Sequence, residues 1–452
     1  MNIIIAGNGK AGVTLVRQLS SEGHDLTLID TNPRALETSA EQNDVISVKG
    51  NCASMQVLLE AGVKDAHLLI AVTGADELNL LCCMTAHGLN PNLHTIARIR
   101  DPEYIQQIHQ MRSIFNLSFT VNPEKQAAVE IERLLKFPGF LKRETFAKGR
   151  TQIVELRIDE DSKLRDVSLI EMYRIVKCHV LVCTVLRNGS AIIPGGNFVL
   201  QEGDRIFVTA PTANLAVLLK NLGIITKRVR GVIIGGGGKV CYYLAKLLEK
   251  DRIQVRIIEK DPQRCRVLAE QLPNADIILG DFTDRSTLEE NGLRECDAFL
   301  SLAGLDEMNM ITSLYASSRD VSQVITKLDR PGNSLLAGSL ELGSVICPRE
   351  LCCNDIVRYV RAMDNQTGAA ISVHAIAEGQ AEAVEFLADD TTRNCGIPLK
   401  DLKLRPGVLL SSISRRGAVE IPGGDSSIRV GDNVVVVTAE RGALRTLNDI
   451  FA

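Results

Sequence analysis

Six residues near the amino terminus, Gly7-Asn8-Gly9-Lys10-Ala11-Gly12, form a GxGxxG spacing between an apolar run and a helical stretch. A turn of this kind can cradle a diphosphate. Gly7 permits the tight bend, Gly9 lets the backbone approach the phosphates, and Gly12 lets the helix pack close to the strand. The helix that follows turns its free N–H groups and the positive end of its dipole toward the anion. Asp30 ends a second apolar run, where a carboxylate accepts from ribose hydroxyls and repels a 2′-phosphate. That acid suits the ribose of NAD and of ATP equally and disfavours NADP.

The same chemistry recurs 229 residues later, where Val232–Leu248 repeats Ile3–Leu19 with Lys239 on Lys10. Gly236 and Gly238 fall on the first two glycines, with Gly237, Lys239 and Val240 in register. Cys241 stands where the third glycine belongs. Its side chain is expected to push the helix off the strand and narrow the loop. Glu259 takes the place of Asp30 with one more methylene. Further on, Thr73-Gly74-Ala75-Asp76 leaves a fourth predicted strand and starts a helix, with Asp76 expected to cap it. In this fold the loop lies over the ligand, and its counterparts are Ala303 and Gly304. Arg98 and Arg100 end the fifth predicted strand with alternate side-chain directions, so that one can point into the crevice. Lys327 corresponds to Arg98.

The elements that must hold these residues are short apolar strands alternating with helices. That pattern predicts a parallel sheet covered on both faces, the doubly wound α/β architecture. After each such segment comes a turn-rich stretch with Gly189–Gly196 repeated at Gly417–Gly424 and Gly203-Asp204 repeated at Gly431-Asp432. These stretches predict small α+β domains, with helices near Ser168–Tyr173 and Asn214–Leu222 in the first. The chain is thus expected to run as four domains in an A-B-A′-B′ order, over 1–125, 140–225, 229–350 and 367–452.

Composition narrows the function. A net charge of −4 with acids and bases evenly spread gives no electrostatic footprint for nucleic acid. No run reaches the roughly 18 apolar residues of a membrane span, and the apolar start breaks at Gly7, unlike a signal peptide. The 12 cysteines show no CxxC spacing and read as buried thiols in a reducing cytoplasm, with no metal site. An NAD-dependent oxidoreductase would need a proton donor beside the nicotinamide. His24, His67, His87, His94 and His109 show no paired pattern, and His179 and His374 lie at non-equivalent places. The expectation is a non-enzyme.

The segments IIIAGNGKAG, LIDTNP, VKGNCAS, AVTGADELN and ARIRDPEY, read together over Ile3–Tyr104, resemble the TrkA family. These are cytosolic regulators of bacterial Trk potassium uptake, built from tandem RCK (KTN) domains. The resemblance covers the whole chain. It implies NAD(H) or ATP/ADP as ligands, at Gly7, Asn8, Gly9, Lys10, Ala11, Asp30, Thr73, Gly74 and Arg98. In the second copy it implies Gly236, Gly237, Gly238, Lys239, Val240, Glu259, Ala303, Gly304 and, less directly, Lys327. It further implies a peripheral protein on the inner face of the membrane, a homo-oligomer (dimer or tetramer), docked on a Trk-type potassium-translocating subunit. A regulator of another cation transporter or channel is the alternative within the same class.

Overall fold

The computed structural model describes residues 1–136, 140–146, 150–224, 229–330, 340, 342–363, 370–440 and 442–452. Within these, the side chains of 109–114, 142, 143, 145, 212, 213, 362, 375 and 378 are outside the description. The boundary positions 225 and 367 and the side chain of His109 therefore lie outside it.

The first segment runs β1 (Asn2–Ala6), α1 (Lys10–Ser21), β2 (Asp25–Asp30), α2 (Pro33–Gln42), β3 (Val45–Lys49) and α3 (Met55–Glu60). It continues with β4 (Leu68–Ala71), α4 (Asp76–Leu89), β5 (His94–Arg98), α5 (Pro102–Phe115), β6 (Phe119–Val121) and α6 (Pro123–Lys136). Its six strands pair in parallel in the order β3-β2-β1-β4-β5-β6. Ile3, Ile4 and Ile5 of β1 and all four residues of β4 are buried, as central strands covered on both faces must be. The strand order reverses between β1 and β4, and this leaves a crevice at their carboxyl ends.

The next segment is β7 (Lys142–Phe146), β8 (Thr151–Arg157), α7 (Leu169–Val176), β9 (Leu181–Arg187), β10 (Ser190–Ile192), β11 (Arg205–Pro211) and α8 (Thr212–Leu222). It forms an antiparallel sheet ordered β10-β9-β11-β8-β7. The second copy follows with β12 (Gly231–Gly235), α9 (Lys239–Lys250), β13 (Gln254–Glu259), α10 (Pro262–Gln271), β14 (Asp276–Leu279) and α11 (Arg285–Glu290). Then come β15 (Ala298–Ser301), α12 (Asp306–Ser317), β16 (Gln323–Lys327), β17 (Ser344–Ile346) and α13 (Pro348–Met363). The order β14-β13-β12-β15-β16-β17 repeats that of the first sheet. The last sheet, ordered β18-β19-β22-β20-β21, consists of β18 (Ala370–Ile376), β19 (Ala381–Leu387), β20 (Val408–Arg415), β21 (Ala418–Glu420) and β22 (Asn433–Thr438).

The two small domains share a sheet but not their helices. Where the first has α7 and α8, the second has 3₁₀ turns at Leu399–Asp401 and Leu447–Ile450. Pro398 and Pro406 bracket the first of these turns, and proline cannot continue an α-helix interior. The repeated Gly-Asp has a structural cause. Asp204 and Asp432, both buried, each accept a two-pronged pair from an arginine, Arg187 (2.7 and 2.7 Å) and Arg415 (2.8 and 2.6 Å). Gly203 and Gly431 before them sit at φ +85° and +89°, in the left-handed region. The faces of these two sheets share one core, with Phe146, Ile153 and Phe207 from the first and Ala383, Val435 and Val437 from the second.

Packing divides the chain into two compact units, Met1–Ala128 with Cys347–Val360, and Val129–Ile346 with Arg361–Ala452. Each unit therefore contains one Rossmann sheet together with a crossing-helix segment from the other half of the chain. In the first unit the ring of Tyr359 on α13 stacks on Phe119 of β6 at 5.1 Å, and Gln126 pairs with Asp355. In the second unit Gln323 of β16 donates to the Leu134 carbonyl of α6 at 3.0 Å. The tandem reading did not contain this exchange, because a repeat records similarity between copies and not contact between them.

Candidate functional site

In the first crevice the three glycines have three different jobs. Gly7 sits at φ +105°, and a Cβ there would lie 2.9–3.0 Å from the backbone of Thr73. The tips of β1 and β4 thus touch through the space a side chain would need. A Cβ on Gly12 would lie 2.0 Å from the Gly7 carbonyl oxygen, so the helix packs on the loop only without one. Gly9 has neither constraint. Its φ of −74° suits any residue, and a Cβ there would meet nothing within 4 Å. As the N-cap it offers no side chain to the first-turn N–H groups of α1, and that turn has no acidic residue. A helix start of this kind is an anion-binding surface. Lys10 opens α1 and is exposed, and Ala11 is buried behind it.

Asp30 ends β2 beside this loop. Its Oδ2 accepts from the Asn8 N–H at 2.6 Å and its Oδ1 from the Asn32 N–H at 2.8 Å. The side chain of Asn8 turns to α2, donating to the Ala35 carbonyl at 2.6 Å and accepting from Ser39 Oγ at 3.0 Å. Asn8 is thus a strut between loop and helix, and the loop's outer rim stays clear.

The second loop repeats this plan with different side chains. Gly236 sits at φ +98° with a Cβ position 3.1 Å from the backbone of Ala303. A Cβ on Gly238 would meet nothing within 4 Å, as at Gly9. Glu259 accepts from the Gly237 N–H at 2.6 Å and the Asp261 N–H at 2.9 Å, matching Asp30 bond for bond. Lys239 opens α9 and Val240 is buried, in the places of Lys10 and Ala11. The strut differs. Gly237 replaces Asn8, Leu268 replaces Ser39, and Arg264 replaces Ala35 and donates Nε to the Gly237 carbonyl at 2.7 Å. Cys241 is fully buried, and burial pushes its thiol up to about 12, so it stays a neutral thiol. The expected narrowing does not reach the helix cap, where Gly238 (φ −70°, ψ −174°) matches Gly9 (φ −74°, ψ −173°).

Two sequence expectations about the fourth-strand loop are corrected. Ala75, and not Asp76, is the N-cap of α4, and no side chain caps it. The buried carboxylate of Asp76 reaches across to accept the N–H groups of Arg100 and Asp101, both at 2.8 Å. It ties the start of α4 to the end of the fifth strand. Nor do Arg98 and Arg100 point opposite ways. The strand ends at Arg98, and residues two apart share a face. Both guanidiniums turn to the same loop, Arg98 to the Thr73 carbonyl and Arg100 to the Gly74 carbonyl. Burial first, then the neighbouring Arg100, pushes the Arg98 guanidinium below its ordinary range. Its buried Nε has no partner among the described residues.

Asn79 and Asn309, both fully buried, were missed as site residues although the repeat contains them. Asn79 accepts the Thr73 N–H at 2.8 Å and donates to the Arg98 carbonyl at 2.8 Å. Asn309 does the same between the Ala303 N–H (2.9 Å) and the Lys327 carbonyl (2.9 Å). They set the shape of the loops that carry Thr73-Gly74 and Ala303-Gly304. Lys327 itself is buried and paired with Asp329 at 3.1 Å, so it is less available to a ligand than Arg98.

No group of His, Cys, Asp or Glu among the described residues could hold a metal ion, and every cysteine is free. Two of the histidines make structural contacts. His67 accepts from the Asn2 N–H, and His374 bonds Glu144 at 2.7 Å in the core of the small domains. No helix among the described residues is long and apolar enough to cross a membrane.

Comparison with known proteins gives consistent matches. The TrkA-N domain model matches residues 3–116 and 232–348, and the TrkA-C domain model matches 153–223 and 383–452. The Trk system potassium uptake protein TrkA of Haemophilus influenzae is 30% identical over 461 residues, covering 100% of this chain and 98% of its own. A TrkA homolog of Archaeoglobus fulgidus is 30% identical over 452 residues, with 100% of both chains covered. Among solved structures, the GsuK RCK domain is similar in fold, with a TM-score of 0.60 at 17% identity over 96% of this chain and 92% of that one. The GsuK channel bound to NAD aligns with a TM-score of 0.60 at 17% identity, over 97% of this chain and 76% of that one.

Proposed function

Because the chain belongs to the TrkA family, regulatory and non-enzymatic components of Trk-system potassium uptake, we propose that its two Rossmann crevices are adenine-nucleotide sites controlling a potassium-translocating membrane subunit. One observation carries the reading. The chain needs Gly7, Gly12 and Gly236 for its own packing, yet it also keeps Gly9 and Gly238, where a side chain would meet nothing of the protein. Glycine there serves whatever approaches from outside. A diphosphate does so, with the first-turn N–H groups of α1 and α9 as donors and Asp30 and Glu259 beside the ribose.

In this reading Gly7, Asn8, Gly9, Lys10, Ala11 and Gly12 form the first phosphate loop, with Thr73, Gly74 and Arg98 closing it from the fourth and fifth strands. Gly236, Gly237, Gly238, Lys239, Val240, Glu259, Ala303, Gly304 and Lys327 form the second. NAD(H) and ATP/ADP both fit the acids and the loops, and the NAD-bound GsuK channel of similar fold supports the dinucleotide. Regulation follows if a nucleotide binds one arrangement of the Rossmann domains more tightly than another, since the shift is bounded by that difference in affinity. The exchanged helix α13 offers a mechanical route, because it packs on the first Rossmann domain and its chain continues into the second unit. The protein acts as a homo-oligomer, dimer or tetramer, on the inner face of the membrane.

The test is potassium flux through vesicles carrying the Trk-type membrane subunit, with and without this chain, at saturating NADH, NAD⁺, ATP or ADP. At least one nucleotide changes the flux only when the chain is present. Flux indifferent to all four would sink the reading.

A further inference from the structure

We infer that the second crevice takes an adenine nucleotide bearing a phosphomonoester, and that Arg264 is the residue that selects it. This rests on the nucleotide reading above and goes beyond it by making the two sites chemically different.

The argument starts from three coordinated exchanges. In the first copy, Asn8, Ala35 and Ser39 make a neutral strut: the Asn8 amide fills the gap between loop and α2 and spends its polar atoms on Ala35 and Ser39. In the second copy Gly237 leaves that gap empty from the loop side, and Leu268 fills it from α10. A Cβ on Gly237 would lie 2.5 Å from Leu268 Cδ1 and 3.0 Å from Glu259 Oε2, so no asparagine fits there. The strut is then rebuilt by Arg264, whose Nε donates to the Gly237 carbonyl at 2.7 Å.

The replacement changes the charge at the rim of the site. Gly237 lies between the two loop glycines, and its N–H is held by Glu259, the ribose acid. Arg264 is thus pinned beside both the phosphate loop and the ribose position. Its Nε makes the structural bond, while Nη1 and Nη2 make no hydrogen bond or ion pair among the described residues. Two parallel donors on a fixed guanidinium match a phosphate with two free oxygens. The first copy has no such group. Arg34 is one position earlier on its helix, about 100° around the axis, is exposed, and makes no side-chain bond to the loop.

The ligand class follows from ionisation. The diphosphate of NAD is a diester, with one charge on each phosphate and no terminal group. A phosphomonoester carries about −1.5 to −2 at neutral pH. Arg264 therefore discriminates for the monoester, whether it is the end of the ADP or ATP chain or a 2′-phosphate on the ribose. Glu259 accepts the two backbone N–H groups equivalent to those that Asp30 accepts, so it is the guanidinium and not the acid that distinguishes the two crevices.

The test is calorimetric titration of the full-length wild type and Arg264→Gln with NADH, NADPH, ADP and ATP, reading site number and affinity for each. Arg264→Gln is expected to weaken at least one monoester ligand about tenfold or more at one site, with NADH binding unchanged. A loss confined to NADPH assigns the ribose 2′-phosphate, and one confined to ADP and ATP assigns the polyphosphate end. Equal losses for NADH and the monoesters, or no loss for any monoester, overturn the inference. The converse variant, Asn8→Gly with Ala35→Arg and Ser39→Leu, should confer monoester preference on the first site. A folded triple variant that shows none also overturns it. Wild-type chain that binds none of the four ligands is a different failure, that of the nucleotide reading itself.

Discussion

The two glycine loops have the same backbone and different internal supports, and the contrast separates what the fold requires from what the proposed ligand requires. Both loops bend at a glycine with positive φ against the fourth strand, both cap their helix with an unencumbered glycine, and both hang a backbone N–H on a carboxylate. Around that shared frame the first copy uses Gly12 and a neutral Asn8–Ser39 strut, whereas the second uses Cys241, Leu268 and Arg264. The frame recurs because geometry dictates it. The supports differ in kind, since each fills the same gap but only the second brings a guanidinium to the rim of the loop.

The largest effect should come from carrying one support into the other copy. Gly12→Cys places a Cβ where the Gly7 carbonyl oxygen lies 2.0 Å away, and about 3 kcal/mol of lost stability is expected from such overpacking. Cys241→Gly should cost less, about 1–2 kcal/mol, for a helical glycine and a lost buried thiol. Thermal unfolding, with hydrogen exchange of α1 and α9 to localise the change, measures both. Equal costs would break the distinction between the loops.

Next in size is removal of the carboxylate proposed to hold the ribose. Asp30→Ala strips the acceptor from the Asn8 and Asn32 N–H groups, and Glu259→Ala does the same at Gly237 and Asp261. Each should lower nucleotide affinity about tenfold or more at its own site and leave the other intact. Binding titrations that show one variant weakening both sites equally would argue against independent crevices. A smaller change is expected from Asn8→Gly, which leaves Ser39 Oγ and the Ala35 carbonyl without the amide. About 1 kcal/mol should be lost in unfolding experiments. No loss would mean that the strut carries no weight.

The sequence was legible where chemistry demands a residue type at a fixed spacing. Gly7, Gly12, Asp30 and Glu259 are each called for by a turn, a close helix packing or a carboxylate at a strand end, and each stands where that logic puts it, while Gly9 caps its helix with nothing of the protein within 4 Å of a Cβ there. Arg264 was illegible because it is an ordinary helix position whose meaning comes from the absence of a side chain at Gly237. Asn79 and Asn309 stood in the repeat, but a buried amide reveals its role only when both strands it joins are in place. Asp76 looked like a cap because caps are local, and its real partners are 24 and 25 residues away. The exchanged crossing helices are more remote still, and α7 and α8 are matched in the second copy only by the 3₁₀ turns Leu399–Asp401 and Leu447–Ile450.

The smallest structural change tests the central claim most directly. Gly9→Ala and Gly238→Ala put one methyl into space that touches no protein atom within 4 Å, at backbone angles any residue adopts. Stability should stay within about 1 kcal/mol of wild type, since a weaker cap and a less flexible unfolded chain offset one another. Calorimetric stoichiometry should nonetheless fall from two nucleotides per chain to one in either variant, and to none in the double variant. Two nucleotides bound with undiminished affinity by the double variant would contradict the account, because the glycines would then be open for no ligand at all.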